Sequence, residues 1–418
     1  MLKVNFTYSF LILFSIILGS CGFQYSKTKT LNHFKTASQF LGDSNYQAIC
    51  YGGYRQHTRD SQPTLNQIKE DIQLLSAMGF KIIRTYNTHY LEAKNILQAI
   101  TDLQAENSNF EMYVMLGAWI DCDNAWTNKK PNHARENINA NTAEIQRAVE
   151  LAKQYPNLVK IISVGNEAMV NWATSYYVTP NIILKWVNHL QKLKTENNLP
   201  KDIWITSSDN FASWGGGDSS YHIDDLKKLI EAVDYVSIHT YPMHDTHYNP
   251  VFWGLKNNEI GLSQEAKIDS LMVRSLNYAR GQYLSVRHYM NSIGINKPIH
   301  IGETGWSTQS DDLYGKDGSK ACDEYKSAKY FQLMKAWTNQ EKITCFYFEA
   351  FDEQWKDAKN FNNSENHFGL FTIEGKAKYA LWQMLDRGVF NKLKRDGNPI
   401  VKSYSGNIEN LLKSVELP

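Results

Sequence analysis

Two glutamates stand where a carboxylate is costly and therefore informative. Glu303 falls in Pro298-Ile-His-Ile-Gly-Glu-Thr-Gly-Trp306, a stretch that reads as a short buried strand over 298–301 breaking at Gly302. Glu167 follows Leu158-Val-Lys-Ile-Ile-Ser-Val164 and then Gly165-Asn166, a second strand that ends the same way. An ionisable group at the mouth of a buried strand must be desolvated to sit there, so such a residue is more often chemical than structural. For each glutamate alone the bland alternative is a buried ion pair. Two of them together match the paired carboxyls that cleave a glycosidic bond, with a spacing of ~5 to 5.5 Å when configuration is retained.

The elements that must position this pair alternate along the chain. Strands are expected over 46–51, 81–85, 111–116, 158–164, 203–207, 235–239, 298–301 and 344–349. Thr64 with Gln67 forms a capping box ahead of the stripe Leu65, Ile68, Ile72 and Leu75, and Gly79 ends that helix. Thr179-Pro180 opens another helix as cap and first position. Further helices are expected over 90–104, 142–155, 223–232, 263–290, 324–338 and 376–385. Eight strands, each followed by a helix, argue for one (β/α)8 TIM barrel. An open doubly wound sheet is the rival, but no G-x-G-x-x-G follows the first strand. In a barrel the functional groups sit at the C-terminal ends of strands, which is where both glutamates fall.

Composition sets few further limits. The chain has 418 residues, 42% hydrophobic and 21% charged, and its net charge of +1 gives no reason to expect nucleic acid as a partner. Aromatics reach 13%, and loop clusters of them suit the apolar faces of sugar rings. Residues 1–20 read as a signal peptide, with Lys3 before an apolar run too short to span a bilayer. Leu18-Gly19-Ser20-Cys21 resembles a bacterial lipobox, with Cys21 the lipidated first residue of the mature chain. Gly22 is not the Asp that would mark inner-membrane retention, so the expected place is an outer membrane, facing periplasm or cell surface. Residues 21–44 are polar and read as a flexible tether, 45–395 as the barrel, and 396–418 as a tail on its exterior. Cys50 and Cys345 read as buried thiols. Cys122 and Cys322 lie in loops and could pair in an oxidising compartment. No C-x-x-C spacing suggests zinc.

Several of these motifs together resemble glycoside hydrolase family 17, the β-1,3-glucan-active family of retaining (β/α)8 glycosidases, over about residues 46–385. Glu-Thr-Gly-Trp at 303–306 is similar to that family's nucleophile signature, and Gly-Asn-Glu at 165–167 to its acid/base motif. Tyr51-Gly52 and Arg84-Thr85-Tyr86 resemble its first two strand ends. Phe351-Asp-Glu-Gln-Trp-Lys356 resembles its strand-eight motif, and Glu365-Asn-His-Phe-Gly-Leu-Phe371 the segment after it. Ser307 replaces the usual Pro, Asp352 replaces the Asn of plant members, and the loop after strand six is long.

The resemblance implies double displacement, with Glu303 as nucleophile and Glu167 as acid and then base. It places Asn166 on the sugar 2-hydroxyl and Glu353 and Lys356 in substrate or nucleophile support. Tyr241 is expected to orient Glu303, and Tyr86 and Trp306 to wall the groove. Trp119, Trp126, Trp172, Trp214 and Trp253 are further candidates for sugar contact. His239, His244, Asp245 and His247 look superficially like ligands, but no metal and no cofactor is expected. The substrate class is β-1,3-glucan such as laminarin, cut internally by a monomer. A transglycosylase with the same residues and a silent glycan-capturing lipoprotein are the competing readings.

Overall fold

The computed structural model describes residues 34–418, so the expected signal peptide and Cys21 lie outside the described residues. Residues Lys35–Pro418 form one compact unit. Eight parallel strands close into a barrel: β1 Gln47–Cys50, β2 Phe80–Arg84, β3 Tyr113–Ala118, β4 Val159–Asn166, β5 Trp204–Asn210, β6 Val236–His239, β7 Ile299–Thr304 and β8 Cys345–Tyr347. Consecutive strands pair side by side, and β1 pairs with β8 to shut the ring. The strands are buried almost throughout, as expected where helices cover the outside of a parallel sheet. Seven of the covering helices are α1 Leu65–Ala77, α2 Leu91–Glu106, α3 Ile138–Gln154, α4 Pro180–Thr195, α5 Asp224–Ala232, α6 Gln264–Ser292 and α7 Glu324–Gln340. Thr64 caps α1 through the Gln67 amide, and the reciprocal capping box is present.

Four features depart from the sequence reading. The tether does not extend to residue 44. Ala37–Phe40 form a helical turn whose Phe40 is fully buried, with ring centroids 5.0 Å from Tyr113 and 6.0 Å from Tyr46, plugging the N-terminal end of the barrel. The Lys35 amide donates to the Tyr113 hydroxyl at 3.0 Å and the Gly42 amide to Thr344 Oγ1 at 2.7 Å, which tie the segment down on either side of Phe40. The break placed at 395/396 runs through a two-stranded hairpin, Lys394–Arg395 with Asn398–Pro399. The long polar loop after β3 folds into another hairpin, Cys122–Asp123 with Asn132–Glu136. The helix expected over 376–385 starts late: Ala377 is taken up by bridges to Phe371 and Lys402, leaving a turn at Tyr379–Leu381 and a short helix Trp382–Asp386.

The C-terminal segment is fastened to the barrel by buried charge. Arg395 is fully buried and donates to Asp71 Oδ1 on α1 at 3.0 Å, while Arg55 holds Asp71 Oδ2 at 2.9 Å. The Arg395 guanidinium also lies 4.0 Å from the Phe351 ring after β8. Farther on, the buried amine of Lys326 donates to the Glu416 carbonyl at 2.7 Å. All four cysteines among the described residues are free, and among them no helix is long and apolar enough to cross a membrane.

Candidate active site

Both glutamates arrive at the C-terminal mouth of the barrel. Glu303 is near the end of β7, and Glu167 directly follows β4. The sequence around Glu167 has an unusual backbone: Gly165 has φ +79° and Glu167 itself φ +44°. The first suits glycine, but the second is a left-handed conformation that costs a side-chain-bearing residue about 1–2 kcal/mol. Such strain clusters where function over-determines the chain. It is held by the Glu167 amide donating to the Ser208 carbonyl of β5 at 3.0 Å. A carboxylate oxygen of Glu167 and one of Glu303 lie within 4.8 Å of each other. So close an approach suits a retaining pair, whose carboxyl groups stand ~5–5.5 Å apart, better than an inverting one at ~6.5–9.5 Å.

Glu303 is buried among donors. Arg84, fully buried at the end of β2, reaches across the barrel and donates from Nη1 to Glu303 Oε1 at 2.6 Å and from Nη2 to Asn166 Oδ1 at 2.6 Å. The Tyr241 hydroxyl donates to Glu303 Oε2 at 2.8 Å. Burial alone would raise the carboxyl. The charges of His239 and Arg84 and the hydroxyl of Tyr241 outweigh it and hold Glu303 below the usual carboxylate range. His239 links the two acids, its Nδ1 3.0 Å from Glu167 Oε1 and 3.5 Å from Glu303 Oε2. Its Nε2 lies 2.8 Å from Ser208 Oγ, which meets Ser237 Oγ at 2.9 Å. This polar layer rests on Gly302, where a Cβ would come within 2.1 Å of Ser208 Oγ, so the glycine before Glu303 is a packing requirement.

Glu167, His239 and Glu303 are the grouping among the described residues that could in principle ligate a metal. Arg84 already supplies a full positive charge against Glu303, so a second cation there would meet direct repulsion. Of the other ligand-like residues, His244 is 3.0 Å from the Tyr314 hydroxyl and Asp245 accepts from Gln282 at 3.0 Å, contacts that build the wall of a groove.

That groove has a volume of about 1710 Å³, beyond the ~300–1,000 Å³ that usually serves one small ligand, so several sugar rings fit. Asn166, Tyr86, Tyr241, Glu353 and Lys356 line it with the two glutamates. Trp306 does not: it is fully buried, its indole donating to the Ala321 carbonyl at 2.8 Å and its ring packed on Trp253 and Tyr330. An aromatic two residues past a strand end has returned to the core. Trp214 and Trp253 are also core, whereas Trp119, Trp126 and Trp172 face the groove.

Sequence reading passed over several groups. Glu349, just past β8, is buried and bound by the Lys356 amine. Burial and the neighbouring Glu353 push its carboxyl well above the ordinary range despite Lys356. Asp209 at the end of β5 accepts from the Met169 amide at 2.7 Å, pinning the loop that leaves Glu167, and burial lifts its carboxyl to about 7. Arg84 figures in the sequence only within the Arg84-Thr85-Tyr86 motif, with no sign of its burial against Glu303.

The sequence model of the BtgE/BtgC glycoside hydrolase domain matches residues 48–369. An endo-laminarinase from Formosa Hel1_33_131 is 60% identical and superposes with a TM-score of 0.91, over 92% of this chain and 98% of that one. A glucan endo-1,3-beta-glucosidase of Emericella nidulans is 24% identical over 320 residues, 74% of this chain and 40% of its own. A Rhizomucor miehei beta-1,3-glucanosyltransferase mutant, in complex with laminaritriose, is 20% identical with a TM-score of 0.54 over 81% of this chain and 97% of that one; it shares the fold. The chain spans 37–40% of the length of the Aspergillus and Emericella relatives it matches.

Proposed function

From the premise that the chain belongs to the BtgE/BtgC glycoside hydrolase family, the β-1,3-glucanase type that its motifs resemble, we propose that it is a retaining endo-acting glycosidase that cuts β-1,3-glucan of the laminarin kind. The observation that carries this is the pair of carboxyls within 4.8 Å of each other at the floor of a groove wide enough for a polymer. Glu303, kept ionised by Arg84, attacks the anomeric carbon and forms the glycosyl-enzyme. Glu167 gives its proton to the departing oxygen, then takes one from the water that releases the sugar. Asn166, itself oriented by Arg84, holds the 2-hydroxyl, and Tyr241 fixes the angle of Glu303. Glu353 and Lys356 serve sugar contacts at one end, where the Lys356 amine also donates to Glu349. The family relationship and the named Formosa and Emericella relatives support the substrate class.

The deciding experiment is release of reducing ends from laminarin, with product sizing and a Glu303→Gln control. Hydrolysis gives shorter products with new reducing ends, and the control loses at least about 10³-fold in rate. Longer products would mean glycosyl transfer; binding without turnover would sink the enzymatic reading. We also propose that the protein is a monomer held at a bacterial membrane by lipid on Cys21, a reading supported by Leu18-Gly-Ser-Cys21; incorporation of labelled palmitate, lost in Cys21→Ser, is the measurement that decides it.

A further inference from the structure

We infer that Trp126, Tyr176 and Trp172 form an aromatic platform for the glucan rings on the departing side of the cut, with Asp121 fixing Trp126 in place; this rests on the glucanase reading above. Trp126 is 62% exposed and Trp172 57% exposed, yet both line the groove. Large rings left in water along a polymer-sized channel are unfinished contacts. The Trp126 ring stacks on Tyr176 with centroids 4.9 Å apart and planes 19° apart, and Trp119 leans on Tyr176 at 5.4 Å. One carboxylate oxygen organises the group: the half-buried Asp121 accepts at Oδ1 from Trp119 Nε1 at 2.7 Å and from Trp126 Nε1 at 3.1 Å.

The backbone is zipped to match. The Cys122 amide donates to the Tyr176 carbonyl at 3.2 Å, and the Trp126 amide to the Ser175 carbonyl at 3.3 Å. Trp126 also has φ +60°, a strained conformation at an exposed loop tip that nothing in the core requires. The side follows from connectivity. Trp172 and Tyr176 lie on the loop that leaves Glu167, and after burial the Glu167 charge is the leading influence raising the Tyr176 phenol. The acid that protonates the departing oxygen faces the sugars attached to that oxygen. Stiff rings with an apolar face and a polar edge suit the C–H faces of a sugar at small entropic cost.

The test compares kcat/KM on laminarin with that on an aryl β-laminaribioside, which carries a phenolate in place of the departing sugars. Trp126→Ala should lose about tenfold more on laminarin than on the aryl glycoside, with Trp172→Ala as a second, equally exposed probe. Asp121→Ala should show the same selective loss, expressed in KM. Asp121→Asn, whose carbonyl can still accept from both indoles, should restore it. Equal losses on the two substrates, no loss on laminarin, or an Asn variant no better than Ala would each overturn the platform while leaving the glucanase reading in place. A wild-type protein inactive on both substrates would overturn that reading and the platform with it.

Discussion

A carboxylate as deeply buried as Glu303 would ordinarily hold a proton at neutral pH. What keeps it charged is the company of His239 and Arg84, and of the two Arg84 cannot lose its own charge and is aimed by the Gly302 carbonyl at 2.7 Å. Removing that cation by Arg84→Met should raise the Glu303 pKa. The acidic limb of the kcat/KM profile then moves up, with at least a ~10²-fold loss at the optimum. An unmoved limb would show that Arg84 serves Asn166 alone. At this scale the sequence was informative where a residue broke a pattern. Glu167 and Glu303 each interrupt an apolar run and announce themselves. Arg84 ends Lys81-Ile-Ile-Arg and resembles any strand leaving the core for water, so its full burial was invisible. Trp306 misled in the opposite sense, because proximity to Glu303 in the chain is not proximity in the groove.

The strands were legible as elements because burial on both faces leaves continuous apolar stretches, and the capping residues of α1 and α4 marked helix starts. The insertions between them were not, since the hairpin over 122–136 has polar strands whose pairing is set by contacts to the Ser175–Thr179 loop. One strand also carries a titratable fault line. His300 in β7 is buried, its Nδ1 accepting from the Thr344 amide at 3.0 Å on the way into β8. Burial, helped by the Arg287 charge, depresses its pKa from 6.5 to about 4. The unfolded chain therefore binds the proton more readily between those values. The stabilising contribution is fully present above pH ~6.5 and is lost as pH falls towards 4, on the order of 3 kcal/mol in all. His300→Asn keeps an acceptor for Thr344 and cannot titrate, so its urea midpoint should vary less than that of wild type between pH 6.5 and 4. Parallel curves would sink the assignment.

Across the whole molecule, the barrel is closed twice, by its strands and by a strap. Asp71 and Arg395 are 324 positions apart and both fully buried, a pairing no local pattern could disclose, and the same holds for Lys326 and the Glu416 carbonyl. Arg395→Ala leaves Asp71 to Arg55 and Tyr51 alone and frees the hairpin at 394–399. It should cost about 3 kcal/mol of stability, read as a lowered chemical unfolding midpoint. A midpoint equal to wild type would mean that the strap merely rests on the barrel.

The backbone at Glu167 has one more implication. Folding by itself would prefer glycine or asparagine at φ +44°, and on the proposed mechanism it is the reaction that asks for glutamate there. On that mechanism, a lineage that ceased to cleave a polymer would lose the pressure opposing that preference. Drift to Gly or Asn at this position would then be the earliest fossil of a hydrolase turned into a mere sugar holder, written in the chain before the groove itself decayed.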